Sequence, residues 1–128
     1  FAVECKYRSG YANAKGFKHY PGGWISWASK SQATRYSEFA RNRNIPVYVA
    51  LGVFKDAENP DKKLVVPLAS LISKSANKDV YFANGKSSEL LCVQYKHFYG
   101  TCANAGSWRG LISELNREET VVVSETIS

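Results

Sequence analysis

The chain has 128 residues, of which 45% are hydrophobic and 13% aromatic, and its formal net charge is +6. This length fits one domain with a buried core, and this composition excludes an intrinsically disordered chain. No apolar run reaches the roughly 18–20 residues that a membrane-spanning helix needs, so we expect no membrane-embedded part. The chain contains no methionine, which indicates that it is a piece of a longer protein.

The positive charge is concentrated in the first third of the sequence. Residues 1–43 contain eight Lys and Arg side chains and two acidic ones, whereas residues 44–128 contain nine of each. A localised basic surface is typical of proteins that bind a phosphate-rich partner. A solvated helix face gives the same charge pattern, so charge alone leaves both interpretations open.

The chain has three cysteines, an odd number, and their spacing fits no disulfide framework. We therefore expect reduced thiols and a cytoplasmic location. Cys92, His97 and Cys102 share one stretch, but three ligands at this spacing make a poor zinc site.

The first half of the chain predicts a strand, a helix and a second strand. Residues 1–8 alternate with a period of two, which predicts a strand with one charged face. A loop rich in Gly and aromatic residues is expected over 9–29. A helix should begin after Ser29 or Ser31 and run to about Asn44, because Pro46 follows. Residues 45–54 form an apolar run typical of a buried strand. This order predicts a βαβ crossover and an α/β fold with a mixed central sheet flanked by helices.

The second half is less regular. A polar turn over 55–62 precedes a predicted strand over 64–68, and no repeat or linker divides the chain, so we expect a single domain over 1–128. The remaining predicted elements are a short helix over 68–73, a short strand over 80–82, helices over 87–98 and 108–115, and a last strand over 120–127.

Glu4 and Lys6 are the first candidate catalytic pair. They lie two residues apart on the predicted first strand, so their side chains share one face about 7 Å apart. Metal-dependent phosphodiester hydrolysis requires a hard cation, which a carboxylate can bind, and a positive group near the attacking water. Glu-x-Lys alone is also what a surface ion pair on any strand looks like.

Gln32 and Tyr36 are the second candidate pair. They lie one turn apart on the predicted helix, so both can face the same cleft. The alternative is that Tyr36 packs in the core beside Phe39, with Gln32 at its margin. These two interpretations are compatible.

With both pairs in this order, the chain resembles the PD-(D/E)xK, or restriction-endonuclease-like, nuclease superfamily, and in particular its members with a Gln-x-x-x-Tyr helix. The resemblance covers about residues 1–54. It implies a restriction-endonuclease-like core and Mg²⁺- or Mn²⁺-dependent cleavage of nucleic acid, with DNA favoured over RNA. It also implies that Glu4 is a metal ligand, that Lys6 positions or activates the water, and that Gln32 and Tyr36 lie beside the active site.

The family pattern also includes an acidic metal ligand on the strand before Glu-x-Lys. No residue before Phe1 provides one here, and the later aspartates lie in turn-like segments. We therefore expect this 128-residue piece to be inactive or severely impaired by itself, with nuclease activity in the parent protein.

Further basic residues are candidates for contacts with the nucleic-acid backbone: Arg8, Lys15, Lys18 and Arg35. Two alternative functions stay open at this point. One is a non-catalytic nucleic-acid-binding module of the same fold, and the other is an interaction domain in which the basic surface is incidental.

Overall fold

The computed structural model describes residues 1–55, 61–97 and 123–124. These residues form a mixed α/β structure with two small sheets and two helices. Within this part of the chain, neither helix is long and apolar enough to cross a membrane. In chain order the elements are β1 (Ala2–Arg8), β2 (Trp24–Ala28), α1 (Lys30–Arg43), β3 (Val47–Val53), β4 (Lys62–Pro67), α2 (Leu68–Ser73), β5 (Ala76–Tyr81), β6 (Ser87–Gln94) and β7 (Val123–Ser124).

The four-stranded sheet has the order β4-β3-β1-β7. β1 is parallel to β3 and to β7, and β4 runs antiparallel to β3. Because β1 and β3 are parallel neighbours, the intervening α1 is the crossover that the sequence predicts, and the α/β prediction is confirmed at this level. The register pairs Glu4 with Val49 and Lys6 with Leu51, so both candidate residues lie in an interior strand of the sheet.

Helix α1 has sequence signals at both ends. The Ser29 hydroxyl accepts a hydrogen bond from the backbone N–H of Gln32, and the Gln32 side chain accepts one from the backbone N–H of Ser29, which makes a capping box. At the other end Asn44 adopts the left-handed conformation, with φ 53°. Asn tolerates this conformation well, so the helix ends where Asn44 and Pro46 predict.

The loop expected over 9–29 contains a strand, so that expectation is wrong over its last part. Trp24–Ala28 is β2, which pairs antiparallel with β6 and has an irregular register between Ser26 and Ala28. Ile25 and Trp27 are fully buried in the main core, whereas Trp24 packs in a second cluster on the other side of the sheet. A strand with apolar groups on both faces shows no alternation of polar and apolar residues. The sequence of β2 therefore lacks the period of two that predicts a strand.

The predicted helix over 87–98 is also wrong, because Ser87–Gln94 is the strand β6, central in the three-stranded sheet β2-β6-β5. Leu91 and Val93 pack in the main core, and Leu90 and Cys92 pack in the second cluster. An apolar run covered on both faces resembles the buried face of a helix. In the fold, this segment pairs with both β2 and β5, and this pairing stabilises the strand over the helix.

The other predicted elements are recovered to different extents. The helix over 68–73 is confirmed, the strand over 64–68 is β4, and the strand over 80–82 is the end of the longer β5. The last predicted strand, 120–127, includes β7, and the predicted helix over 108–115 lies outside the described residues.

The main core lies between the four-stranded sheet, the two helices and the inner faces of β2 and β6. Trp27 is at its centre, and its indole Nε1 donates a hydrogen bond to Ser75 Oγ at 2.8 Å. Ser75 Oγ in turn donates to the carbonyl oxygen of Leu71 in α2 at 2.6 Å. The Ser75 hydroxyl therefore connects β2 of the three-stranded sheet to helix α2.

Replacing Ser75 with Ala should lower the free energy of unfolding by about 1–3 kcal/mol, because it removes the acceptor of a buried indole N–H. Urea denaturation measures the change. The matched control is Ser73→Ala, which removes a similar bond to the Ser70 carbonyl on an exposed residue. Equal losses in the two variants would show that the Trp27–Ser75 bond contributes no more to stability than the exposed bond of Ser73 does.

Candidate active site

Glu4 is the only charged side chain among the buried residues of the described part of the chain, with 3% exposure. It lies in the interior strand β1 and faces α1. Burying a carboxylate is costly unless partners compensate for the lost hydration. A sheet would be more stable with an apolar residue at this position, so a buried carboxylate there is a candidate for function.

Tyr36 is the helix residue that contacts this carboxylate. Its hydroxyl donates a long hydrogen bond of 3.4 Å to Glu4 Oε1, and its side chain is 1% exposed. Burial, the negative charge of Glu4 and the hydrogen bond to it raise the pKa of Tyr36 to about 12. Tyr36 therefore stays protonated at neutral pH and remains a donor toward Glu4.

Lys6 projects from the same face of β1, and its Nζ lies 5.4 Å from the centroid of the Tyr36 ring. Burial lowers the pKa of Lys6, the positive charges of Arg8 and Arg35 lower it further, and the charge of Glu4 acts in the opposite direction. An amine with a lowered pKa exchanges protons with water more readily at neutral pH than an ordinary lysine does. Glu4, Lys6 and Tyr36 form one cluster, which we call the Glu4 site.

Two arginines lie near the Glu4 site but differ in their surroundings. Arg35 is exposed on α1, next to Tyr36 in sequence. Arg8 is half-buried at the end of β1, where its guanidinium donates to the carbonyl oxygens of Ser26 at 2.8 Å, Tyr7 at 2.8 Å and Trp27 at 3.2 Å. Arg8 thus joins the two sheets, whereas the Arg35 side chain is accessible to a ligand.

Gln32 lies one turn before Tyr36, as the sequence predicts, but its side-chain oxygen accepts the Ser29 backbone N–H at 3.0 Å. This bond closes the capping box and fixes the first turn of α1. Gln32 therefore positions the helix that presents Tyr36 to Glu4.

Lys15 and Lys18 are exposed on the loop between β1 and β2. The loop is joined to the second sheet, where the backbone N–H of Tyr81 donates to the Asn13 carbonyl oxygen and Ala12 packs with Cys92. These lysines thus belong to the loop that covers the second sheet, and the structure does not bring them together with Glu4.

A divalent cation would find one carboxylate at the Glu4 site. No group of three or more His, Cys, Asp and Glu side chains occurs within residues 1–55 and 61–97. Mg²⁺ is usually bound through one or two carboxylates together with water and substrate phosphate oxygens. Among the described residues, Glu4 could supply one ligand of such a site. The remaining ligands would come from water, from substrate phosphate oxygens or from protein groups outside the described residues.

Phe82 is an exposed residue that the sequence interpretation did not single out, with 46% exposure at the turn between β5 and β6. The turn includes Asn84-Gly85, with Gly85 at φ 82°. Asn-Gly between two strands is a strong hairpin signal. Applied to residues 76–94, it would have identified both strands and the exposed aromatic ring between them.

Comparisons of the chain with protein-family models, curated protein sequences and solved structures found no match.

Replacing Lys6 with Met should raise the free energy of unfolding by about 0.5–2 kcal/mol at neutral pH, because it removes a partly buried ammonium group and keeps an apolar side chain of similar length. The pKa of Lys6 in the folded protein is below the 10.5 of the unfolded chain, so protonated Lys6 destabilises the fold. As pH rises through the folded-state pKa toward 10.5, the folded protein releases its proton first and the parent regains stability.

The advantage of Lys6→Met should therefore shrink between neutral pH and pH 10.5, as measured by urea denaturation at a series of pH values. Lys30→Met on the exposed start of α1 is the matched control and should change stability by less than about 0.5 kcal/mol. A Lys6→Met variant less stable than the parent at neutral pH would contradict the destabilising burial of this amine.

Proposed function

We propose that the protein containing this chain is a Mg²⁺-dependent nuclease of the restriction-endonuclease-like superfamily, acting on DNA. The observation that supports this proposal is the buried Glu4 carboxylate, with Lys6 on the same face of an interior strand and Tyr36 turned toward it from the crossover helix. A general surface ion pair does not require burial of the acid. A metal ligand is held in position by packing and hydrogen bonds, which the burial of Glu4 and its contact with Tyr36 supply.

The topology supports the same proposal. The core of such nucleases places Glu-x-Lys on a sheet strand, followed by a helix and a parallel neighbouring strand. β1, α1 and β3 follow this order, with β4 antiparallel at the edge. The three-stranded sheet β2-β6-β5 is then an addition to this core, inserted on both sides of α1 in the sequence.

Each residue of the Glu4 site has a distinct role in this proposal. Glu4 supplies an oxygen ligand, and the Tyr36 hydroxyl donates to it and holds its orientation, as partners of metal ligands commonly do. A bound Mg²⁺ stabilises charge on the scissile phosphate and lowers the pKa of bound water. Lys6 orients the attacking water and accepts or shares its proton, for which its lowered pKa is suited.

The positive charges around Glu4 fit a polyanionic substrate. Lys6 and Arg35 act on one another electrostatically and lie beside a buried carboxylate. The accessible Arg35 is the best placed of the candidate basic residues to contact a phosphate. The free thiols of Cys5 and Cys92 support the cytoplasm as the location of this activity.

A second candidate function is nucleic-acid binding without cleavage. The observation that favours it is that the described residues contain a single acid at the site and no cluster of metal ligands. By the family pattern, catalysis would use a further acidic metal ligand from outside these residues, whereas binding requires only the basic surface. The two functions are separated by whether the parent protein cleaves nucleic acid in a way that depends on Glu4 or only binds it.

In the full-length protein, Glu4→Gln and Lys6→Met should each lower Mg²⁺-dependent cleavage by at least about 100-fold, because they remove a metal ligand and a water-positioning group. Cleavage of a supercoiled plasmid in the presence and absence of EDTA measures the activity. Binding of the uncleaved plasmid in EDTA should change by less than about tenfold, because neither residue is part of the exposed basic surface.

The matched controls are Glu38→Gln and Lys30→Met, which neutralise exposed charges on α1 and should leave cleavage unchanged. Full activity of Glu4→Gln would refute the assignment of the Glu4 site. Salt-dependent binding with no cleavage by the parent in Mg²⁺ or Mn²⁺ would favour the binding module instead.

A further inference from the structure

A cavity opens at the end of β1, where Arg8 lies two residues after Lys6 of the Glu4 site. Its volume is about 380 Å³, and its lining combines the β1–β2 loop with the end of β5 and the turn after it. We call it the β5 cleft. The residues that matter for its chemistry are Arg8, Tyr11, Asn13, His19, Tyr81 and Phe82.

The walls of the β5 cleft are held by backbone hydrogen bonds on both sides. Tyr81 N–H donates to the Asn13 carbonyl oxygen at 3.2 Å, which ties the loop to β5. Phe82 N–H donates to the Lys86 carbonyl oxygen at 2.8 Å, and its own carbonyl accepts from Gly85 at 3.0 Å. The cleft is thus preformed, and a ligand would bind without ordering these segments.

Aromatic and amide groups dominate its chemistry. The Tyr11 ring is fixed by edge-on contacts with His19 at 5.8 Å and Phe54 at 4.9 Å between centroids. Phe82 lines the cleft and is 46% exposed, so part of its ring is accessible to a ligand. Asn13 and His19, both exposed, can donate and accept hydrogen bonds. An aromatic surface with a few polar groups is what a nucleobase needs.

The position of the cleft relative to the Glu4 site fits a neighbouring nucleotide. Arg8 lines the cleft and follows Lys6 by two residues on the same face of β1, which is about 7 Å along the strand. The loop that forms one wall also bears the exposed Lys15 and Lys18, whose charges favour a phosphate backbone.

We propose that the β5 cleft binds one unpaired nucleobase of the nucleic-acid strand, stacked on Phe82. This inference rests on the proposed function for the identity of the ligand, but it concerns binding and requires no cleavage. A duplex keeps its bases stacked on each other, so the cleft would select single-stranded DNA, strand ends or a base turned out of the helix. The protein would therefore distinguish unpaired from paired substrate next to the scissile bond.

The test is fluorescence anisotropy with a labelled single-stranded oligothymidylate at low salt and in EDTA, so that cleavage plays no part. Phe82→Ala should weaken binding by about 5- to 150-fold, the range found when a base-stacking aromatic is removed. Phe17→Ala is the matched control, because Phe17 is 70% exposed on the loop but does not line the cleft. It should change affinity by less than about twofold. Phe82→Trp should retain binding, because its ring also stacks.

Two further ligands, a blunt duplex and an abasic oligonucleotide, distinguish base stacking on Phe82 from electrostatic attraction to the phosphate backbone. Phe82→Ala should hardly affect binding of a blunt duplex, and an oligonucleotide of abasic sites should bind parent and variant equally. The inference is overturned if Phe82→Ala matches Phe17→Ala, if it weakens duplex binding equally, or if the parent does not bind the single strand. Loss of cleavage in Glu4→Gln with unchanged Phe82-dependent binding would support both proposals, whereas cleavage that persists in Glu4→Gln would refute only the proposed function.

Discussion

The candidate site depends on one interaction: a carboxylate enclosed between a sheet and the helix that crosses it. Glu4 lies in the middle of β1, and Tyr36 covers it from α1 with a hydroxyl that cannot readily ionise. Without such a donor a buried charge is strongly unfavourable. The capping box at Ser29 and Gln32 fixes the start of α1, and with it the position of Tyr36 one turn later. Helix capping, helix register and the chemistry of the site are therefore parts of one arrangement.

Local sequence signals predicted the part of the fold that surrounds this interaction. The alternation in residues 1–8, the cap at Ser29 and the apolar run after Pro46 give the strand, helix and strand in the right order. Local periods indicated that Glu4 shares a face of the strand with Lys6 and that Tyr36 shares a face of the helix with Gln32. That these two faces meet was implied only by the resemblance to the nuclease superfamily. The burial of the Glu4 side chain and the exposure of Arg35 depend on how the helix packs on the sheet. The periods alone did not predict either of them.

The second sheet was not predictable in the same way, because it depends on pairing between distant segments. β2 pairs with β6 across more than sixty residues of sequence, and both strands have apolar groups on two faces. Periodicity fails for such strands, and only the Asn84-Gly85 turn marked the hairpin. Arg8 shows the same limit: its charge indicated a phosphate contact, whereas three carbonyl oxygens from two sheets surround its guanidinium. A single sequence does not show which acceptors the fold places nearby.

The ionisation of Tyr36 tests the central interaction most directly. With tyrosines labelled by ¹³C at Cζ, an alkaline titration followed by NMR resolves each phenol, and Tyr36→Phe assigns the signal. Tyr36 should ionise with a pKa of about 12, and with a lower pKa in Glu4→Gln, because the negative charge beside it is removed. A Tyr36 signal that titrates near the ordinary value of 10 in both proteins would contradict the buried carboxylate–phenol pair.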